Sequence, residues 1–128
     1  MTTYLTKEDL LGIVERVLPP STRLRDAGQV HAAVLRPQAT AFGEDAYPEV
    51  WEKAAALMQS VLIGHPLSDG NKRLAWLSAT VFLELNGVRT RKVETDTAYA
   101  FVIAVTTGDV VDVPEIAKRL RGLGLTAA

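Results

Sequence analysis

The sequence predicts a single all-α domain, a bundle of about six helices packed around a central buried helix and interrupted by one short loop or hairpin. Three observations predict it. Apolar residues recur at helical spacing in six segments, each bounded by Pro, Gly, Asn or Asp. No internal repeat, low-complexity segment or coherent series of strands competes with that pattern. At 128 residues and 48% hydrophobic, the chain can bury one ordinary core and is too short for two domains of usual size, so one domain spans 1–128.

The first helix begins just after Thr6, its N-cap, and carries Leu10, Leu11, Ile13, Val14, Val17 and Leu18 on one face until Pro19-Pro20 ends it. Ser21 to Arg25 reads as a connection. Asp26 caps a second helix through Val30, Ala33, Val34 and Leu35, stopped by Pro37; His31 within it reads as a surface or packing residue. Gln38 to Pro48 lacks helical periodicity and contains Gly43, the pattern of a loop or short hairpin. Pro48 suits the first turn of a third helix running through Ala54-Ala55-Ala56-Leu57-Met58 to Ile63, with Gly64 as its end.

A fourth helix from Gly70 or Asn71 is apolar almost all round from Leu74 to Leu85, the mark of a helix buried on most sides, and it closes at Asn86-Gly87. Arg89, Arg91 and Lys92 form a basic run too small for much electrostatic affinity, so it reads as a solvated connection. A fifth helix starts near Thr95-Asp96 and runs to Gly108 despite its β-branched residues. Asp112-Val113-Pro114-Glu115 opens a last helix through Ile116, Ala117 and Leu120, whose final turns hold Lys118, Arg119 and Arg121. The tail after Gly122 is expected to fray.

Between the third and fourth helices lies His65-Pro66-Leu67-Ser68-Asp69-Gly70-Asn71-Lys72-Arg73, a loop that feeds a helix N-terminus. Pro66 disfavours helical geometry at His65. Gly70 permits a tight turn or the close approach of a ligand. Lys72 and Arg73 stand in the first helical turn, where the helix dipole disfavours a cation by roughly 0.3 to 1 kcal/mol each. That placement calls for an anion, and the unpaired N–H groups of a helix start suit a phosphate. Asp69 supplies an oxygen ligand for Mg2+, and His65 a candidate general base. The bland alternative has Asp69 capping, the cations in solvent and His65 packing.

The loop resembles the Fic motif, His-Pro-Phe-x-Asp/Glu-Gly-Asn-Gly-Arg-x-x-Arg, and most closely its death-on-curing (Doc) toxin variant, which ends in Asn-Lys-Arg. The resemblance extends from about Tyr4 to Gly122 and includes Arg36-Pro37-Gln38, Glu52-Lys53-Ala54-Ala55-Ala56 and Leu83-Glu84-Leu85-Asn86-Gly87. It implies a Fic/Doc-like bundle with a substrate-positioning flap within Gln38 to Pro48. It further implies that His65 activates a Ser or Thr hydroxyl of a protein, that Asp69 binds Mg2+, and that Gly70, Asn71, Lys72 and Arg73 hold the phosphates of ATP. The implied function is that of a toxin in a toxin–antitoxin pair. By this resemblance it transfers the γ-phosphoryl group to elongation factor Tu, arrests translation, and is neutralised by the C-terminal helix of a cognate antitoxin.

Two positions depart from the motif. Leu67 replaces Phe at a position expected to be packed, and Trp76 stands where AMP-transferring Fic enzymes carry their second Arg. The rival readings are therefore AMP transfer to a protein hydroxyl, which Trp76 and Lys72 oppose, and a catalytically silent module that docks an acidic or phosphorylated partner. The self-inhibitory pattern Ser/Thr-x-x-x-Glu-Gly/Asn is matched only in spacing by Thr40 and Glu44, with Asp45 breaking its end.

Composition narrows the partners. Fourteen basic and fifteen acidic residues give a net charge of −1, so no global field draws the protein to nucleic acid or to an anionic membrane, and any anion site is local. The absence of cysteine excludes disulfides and thiolate metal sites. The start lacks the basic and apolar regions of a secretory signal, and no apolar run is long enough to span a bilayer, so a cytoplasmic location is expected.

Overall fold

The six expected helices are present: α1 (Lys7–Val17), α2 (Ala27–Leu35), α3 (Val50–Gly64), α4 (Asn71–Leu85), α5 (Thr95–Thr107) and α6 (Val113–Arg121). The computed structural model describes residues 1–90 and 92–127. Thr6 Oγ1 accepts the Asp9 N–H at 3.1 Å while the Asp9 carboxylate accepts the Thr6 N–H at 2.8 Å, a reciprocal cap that fixes the start of α1. Asp26 Oδ1 accepts the Gln29 N–H at 3.3 Å and starts α2. Asn86 and Gly87, the latter at φ 88°, close α4, and Gly108 at φ 84° closes α5.

α3 is the widest hub of the bundle. It packs on α2, α4, α5 and α6, whereas α4 packs on α1, α3 and α5, so the central place expected of α4 is shared. Ten of the fifteen α3 residues are buried, among them Ala54, Ala55 and Ala56, whose small side chains let neighbouring helices approach. Leu57, Met58, Val61 and Leu62 meet Leu74, Phe82 and Leu83 of α4 and Ile116 and Leu120 of α6 in one hydrophobic cluster. Each such large side chain contributes about 1.5–3 kcal/mol by its burial.

Several boundaries differ from the sequence expectation. Pro37 does not simply stop α2; it lies in a turn of 3-10 helix at Arg36–Gln38 that continues from Leu35. Pro48 stays outside α3, whose N-cap is Glu49, with the Glu52 carboxylate accepting the Glu49 N–H at 3.2 Å. Gly64 is still helical and the turn falls at His65; Gly64 lies against the Gln29 side chain, whose Cβ would be 3.2 Å from a Cβ added there, so its small size suits the packing of α2 on α3. Asp112 holds the N-cap position of α6 without a side-chain hydrogen bond.

The tail is tied down. β4 (Thr126–Ala127) pairs antiparallel with β3 (Val88–Arg89), and Leu125 is 2% exposed, so burial of one leucine brings the chain back to the segment expected to be a solvated connection. Arg91, part of that basic run, lies outside the described residues.

The loop after the 3-10 turn holds a short hairpin, β1 (Thr40–Ala41) pairing with β2 (Glu44–Asp45) around Phe42 and Gly43, both at positive φ as a tight two-residue turn requires. All four strand residues are exposed, so packing within the hairpin cannot hold it in place. The anchor is Lys53 of α3, 1% exposed, whose ammonium donates to Asp45 Oδ2 at 2.9 Å and to the Tyr47 carbonyl. Arg36 extends the anchor, donating to the Tyr47 hydroxyl at 3.3 Å and to Gln59 Oε1 at 2.7 Å, and Gln59 in turn donates to the Val111 carbonyl at 2.7 Å. The hairpin is thus fastened to α3, the helix that also carries His65 at its end.

Candidate active site

α3 ends by a backbone reversal at His65, at φ 46° and ψ 58° in the left-handed region, with its N–H still bonded to the Val61 carbonyl at 3.1 Å. A residue before proline is steered out of right-handed helix, and His tolerates the left-handed alternative better than most side chains. The cost is held in place by hydrogen bonds to the segment before α2. The Pro66 carbonyl accepts from the Arg25 N–H at 2.7 Å and the Asp26 N–H at 3.1 Å, and Leu67 pairs with Leu24 in an isolated antiparallel bridge. The Ser68 N–H donates to the Arg23 carbonyl at 2.9 Å, and Ser68 Oγ accepts the Arg23 N–H at 3.0 Å.

Leu67 is fully buried, as expected of the position where the motif has Phe. Asn71 then closes the loop on itself. Its Oδ1 accepts the Leu67 N–H at 2.9 Å and its Nδ2 donates to the Leu67 carbonyl at 3.0 Å. The side chain therefore positions the loop, and the group of Asn71 left over is its N–H in the first turn of α4, which has no partner within the helix. Gly70, at φ 87°, is the N-cap, so no side chain shields the N–H groups of the helix start.

The other predicted residues open onto one cleft of about 700 Å³. His65, Ser68, Asp69, Lys72 and Arg73 line one part, and Val93, Ala98 and Val102 with the rings of Trp76 and Tyr99 line the other. His65 is exposed, and its imidazole has no hydrogen bond to another described residue, so packing does not explain it. Asp69 does not cap α4: its Oδ1 accepts the adjacent Gly70 N–H at 2.9 Å, which leaves the carboxylate exposed at the mouth of the cleft.

Arg25 is the site residue that sequence reasoning missed. It lines the same cleft because its backbone is bonded to Pro66, a pairing that no spacing in the sequence announces. Arg25, Lys72 and Arg73 give three cations against one carboxylate. Among the described residues, the ion pairs are Lys53 with Asp45 and Arg119 with Glu115, so none of the three is neutralised by an acid. Such a site favours a multiply charged anion. His31 is exposed on α2 and is not among the residues lining the cleft, while Thr40 and Glu44 are exposed in the hairpin.

Among the described residues, no group of three or more His, Asp or Glu side chains gathers to hold a metal ion. Asp69 alone fits the mode in which Mg2+ takes one carboxylate and completes its shell with phosphate oxygens and water. No described helix is long and apolar enough to cross a membrane.

A model of the Fic/DOC family matches residues 4–83, a stretch that contains α1 to most of α4 and the whole loop from His65 to Arg73. The toxin Doc of Mycolicibacterium smegmatis is 44% identical to this chain over 128 residues, covering 99% of this chain and 98% of that protein. That similarity extends through α5 and α6, beyond the reach of the family model. With the motif loop, the helical bundle and both matches in agreement, this chain belongs to the Fic/DOC family.

Proposed function

We propose that the chain is a Doc-like toxin of a toxin–antitoxin pair and acts as a protein kinase. It transfers the γ-phosphoryl group of ATP to a Ser or Thr hydroxyl of a translation factor, elongation factor Tu by resemblance, and so arrests translation. The observation that supports this most is the meeting of an exposed, unpaired His65 with three uncompensated cations and an uncovered helix start in one cleft. Phosphoryl transfer needs little more than positioning, charge neutralisation and a base for the attacking hydroxyl.

In this reading His65 takes the proton of the acceptor hydroxyl as its oxygen bonds to the γ-phosphorus. The bond from that phosphorus to the β–γ bridging oxygen breaks, and ADP leaves with the electron pair. The N–H groups of Asn71, Lys72 and Arg73, freed by Gly70 as cap, hold phosphate oxygens, and the Lys72, Arg73 and Arg25 side chains balance their charge. Asp69 would hold Mg2+, which supplies further neutralisation of the triphosphate. The hairpin fastened by Lys53 would place the protein substrate, and a cognate antitoxin would cover the toxin with its C-terminal helix. A translation factor as target places the activity in the cytoplasm.

The choice of phosphoryl over AMP transfer rests on Trp76 and Lys72. AMP transfer needs the β and γ phosphates held as the leaving group, and Trp76 offers an indole one turn past Arg73 where an Arg would serve that hold. Lys72 places a compact charge at the helix start instead. The test is incubation of purified protein with translation factors and MgATP, followed by mass analysis of the targets. One added phosphoryl group on a Ser or Thr is expected, lost with His65→Ala although that variant stays folded. An AMP adduct would select the rival transfer, and equal turnover by His65→Ala would remove His65 from its role.

A further inference from the structure

The apolar part of the cleft has no task in the transfer step, yet it is continuous with the phosphate-binding part. We propose that Trp76 and Tyr99 seat the nucleobase of the donor by stacking, without reading its edge, so that any nucleoside triphosphate is accepted, purines more tightly than pyrimidines. This rests on the nucleotide reading given above and specifies the donor that the same cleft takes.

Trp76 follows Lys72 by four residues and Arg73 by three, so it lies on their face of α4, about 5 Å further along the axis. The indole is therefore within reach of the base of a nucleotide whose phosphates lie at the helix start. Trp76 is partly buried and meets the Phe101 ring at 6.4 Å and 73°, an edge contact that fixes its ring. Tyr99, on the α5 wall, is 59% exposed although its neighbour in the lining, Ala98, is buried. Neither the indole N–H nor the Tyr99 hydroxyl has a hydrogen-bond partner among the described residues, so both rings are committed to no internal network.

The same lining explains the expected tolerance. Apart from the two rings it offers Val93, Thr95, Ala98 and Val102, and only Thr95 adds a hydrogen-bonding side chain. Discrimination between bases by large factors needs fixed donors and acceptors aimed at the base edge. Stacking recognises the π-face that every base has, and larger purines gain more from it.

The test uses the full chain with MgCl2 and five probes: ATP, GTP, CTP, UTP and inorganic tripolyphosphate. Binding is measured by calorimetry, and base contact by tryptophan fluorescence in a Trp51→Phe background, where Trp76 is the remaining tryptophan of two. All four nucleotides should bind within about tenfold of one another, and each should quench Trp76 while tripolyphosphate binds without quenching. Trp76→Leu and Tyr99→Ala should each weaken ATP by roughly ten- to a hundredfold, toward the affinity of tripolyphosphate, which neither variant changes. Tyr99 is exposed, so its variant reports even if Trp76→Leu disturbs the core. ATP affinity unchanged in Tyr99→Ala, or ATP preferred over the other three by more than a hundredfold, would overturn the proposal while leaving the phosphate site standing. Failure of both ATP and tripolyphosphate to bind would remove the nucleotide reading and the base seat with it.

Discussion

Replacing Asn71 by Ala tests whether that side chain shapes the loop or serves only a ligand. The structure gives it two hydrogen bonds, from the Leu67 N–H at 2.9 Å and to the Leu67 carbonyl at 3.0 Å, and Leu67 is fully buried. Truncation leaves both backbone groups without their partner, and each such group costs about 1–3 kcal/mol. The sum, about 2–4 kcal/mol after allowing for the partly exposed setting of Asn71, lies below the roughly 5–15 kcal/mol that holds a domain together, so the variant still folds. A domain of this size should then melt roughly 6–20 °C lower.

The assay is urea unfolding, with a lower midpoint at unchanged slope, together with hydrogen exchange at the Leu67 amide. Asn71→Asp should be about as harmful, because a carboxylate oxygen would replace the donor opposite the Leu67 carbonyl. A loss under about 0.5 kcal/mol with Leu67 protection unchanged would refute the positioning role, since that is the range of an ordinary surface substitution.

Gly70→Ala should destabilise by about 1–3 kcal/mol, because alanine is strained at φ 87° and its Cβ would come 3.2 Å from Leu18 Cδ1; a wild-type urea midpoint would show that the loop relaxes freely. Asp45→Ala strands the buried Lys53 ammonium and should cost about 1–3 kcal/mol, less than a fully buried pair because Asp45 is half exposed, and should also speed exchange at the hairpin amides. An unchanged melting temperature and hairpin protection would mean that Lys53 is anchored without it. Asp69→Asn should keep wild-type stability within about 0.5 kcal/mol, since an amide oxygen can accept the Gly70 N–H equally well, while the Mg2+ needed for half-maximal transfer rises at least tenfold. A large fall in melting temperature with unchanged Mg2+ dependence would make Asp69 a structural residue.

The helices were legible because their signals are local. Thr6 and Asp26 cap through side chains three residues from their partners, and apolar spacing records which face is buried. The order of residues in the loop was legible for the same reason, since proline, glycine and a helix start act within a few positions. What could not be read were contacts between distant segments. Arg25 reaches the cleft through backbone pairing with Pro66, and Tyr99 arrives from another helix. Lys53 is buried because a hairpin elsewhere in the chain supplies its acceptors. Gly64 reads as a helix end from its type alone, yet it is the last helical residue and lies against the Gln29 side chain where α2 packs on α3. The β3–β4 pairing of two residues each is too short to leave a periodic signal.

The central claim is that His65 faces the terminal phosphate of a nucleotide held by the start of α4. Labelling the donor tests it most directly. The protein, its translation-factor target and MgCl2 are incubated with ATP carrying label on the γ-phosphate or, in parallel, on the α-phosphate, and incorporation into the target is measured. The expected result is label from the γ-position alone, absent with His65→Ala. Incorporation from the α-position would contradict it, and would mean that the nucleotide lies the other way round despite Trp76.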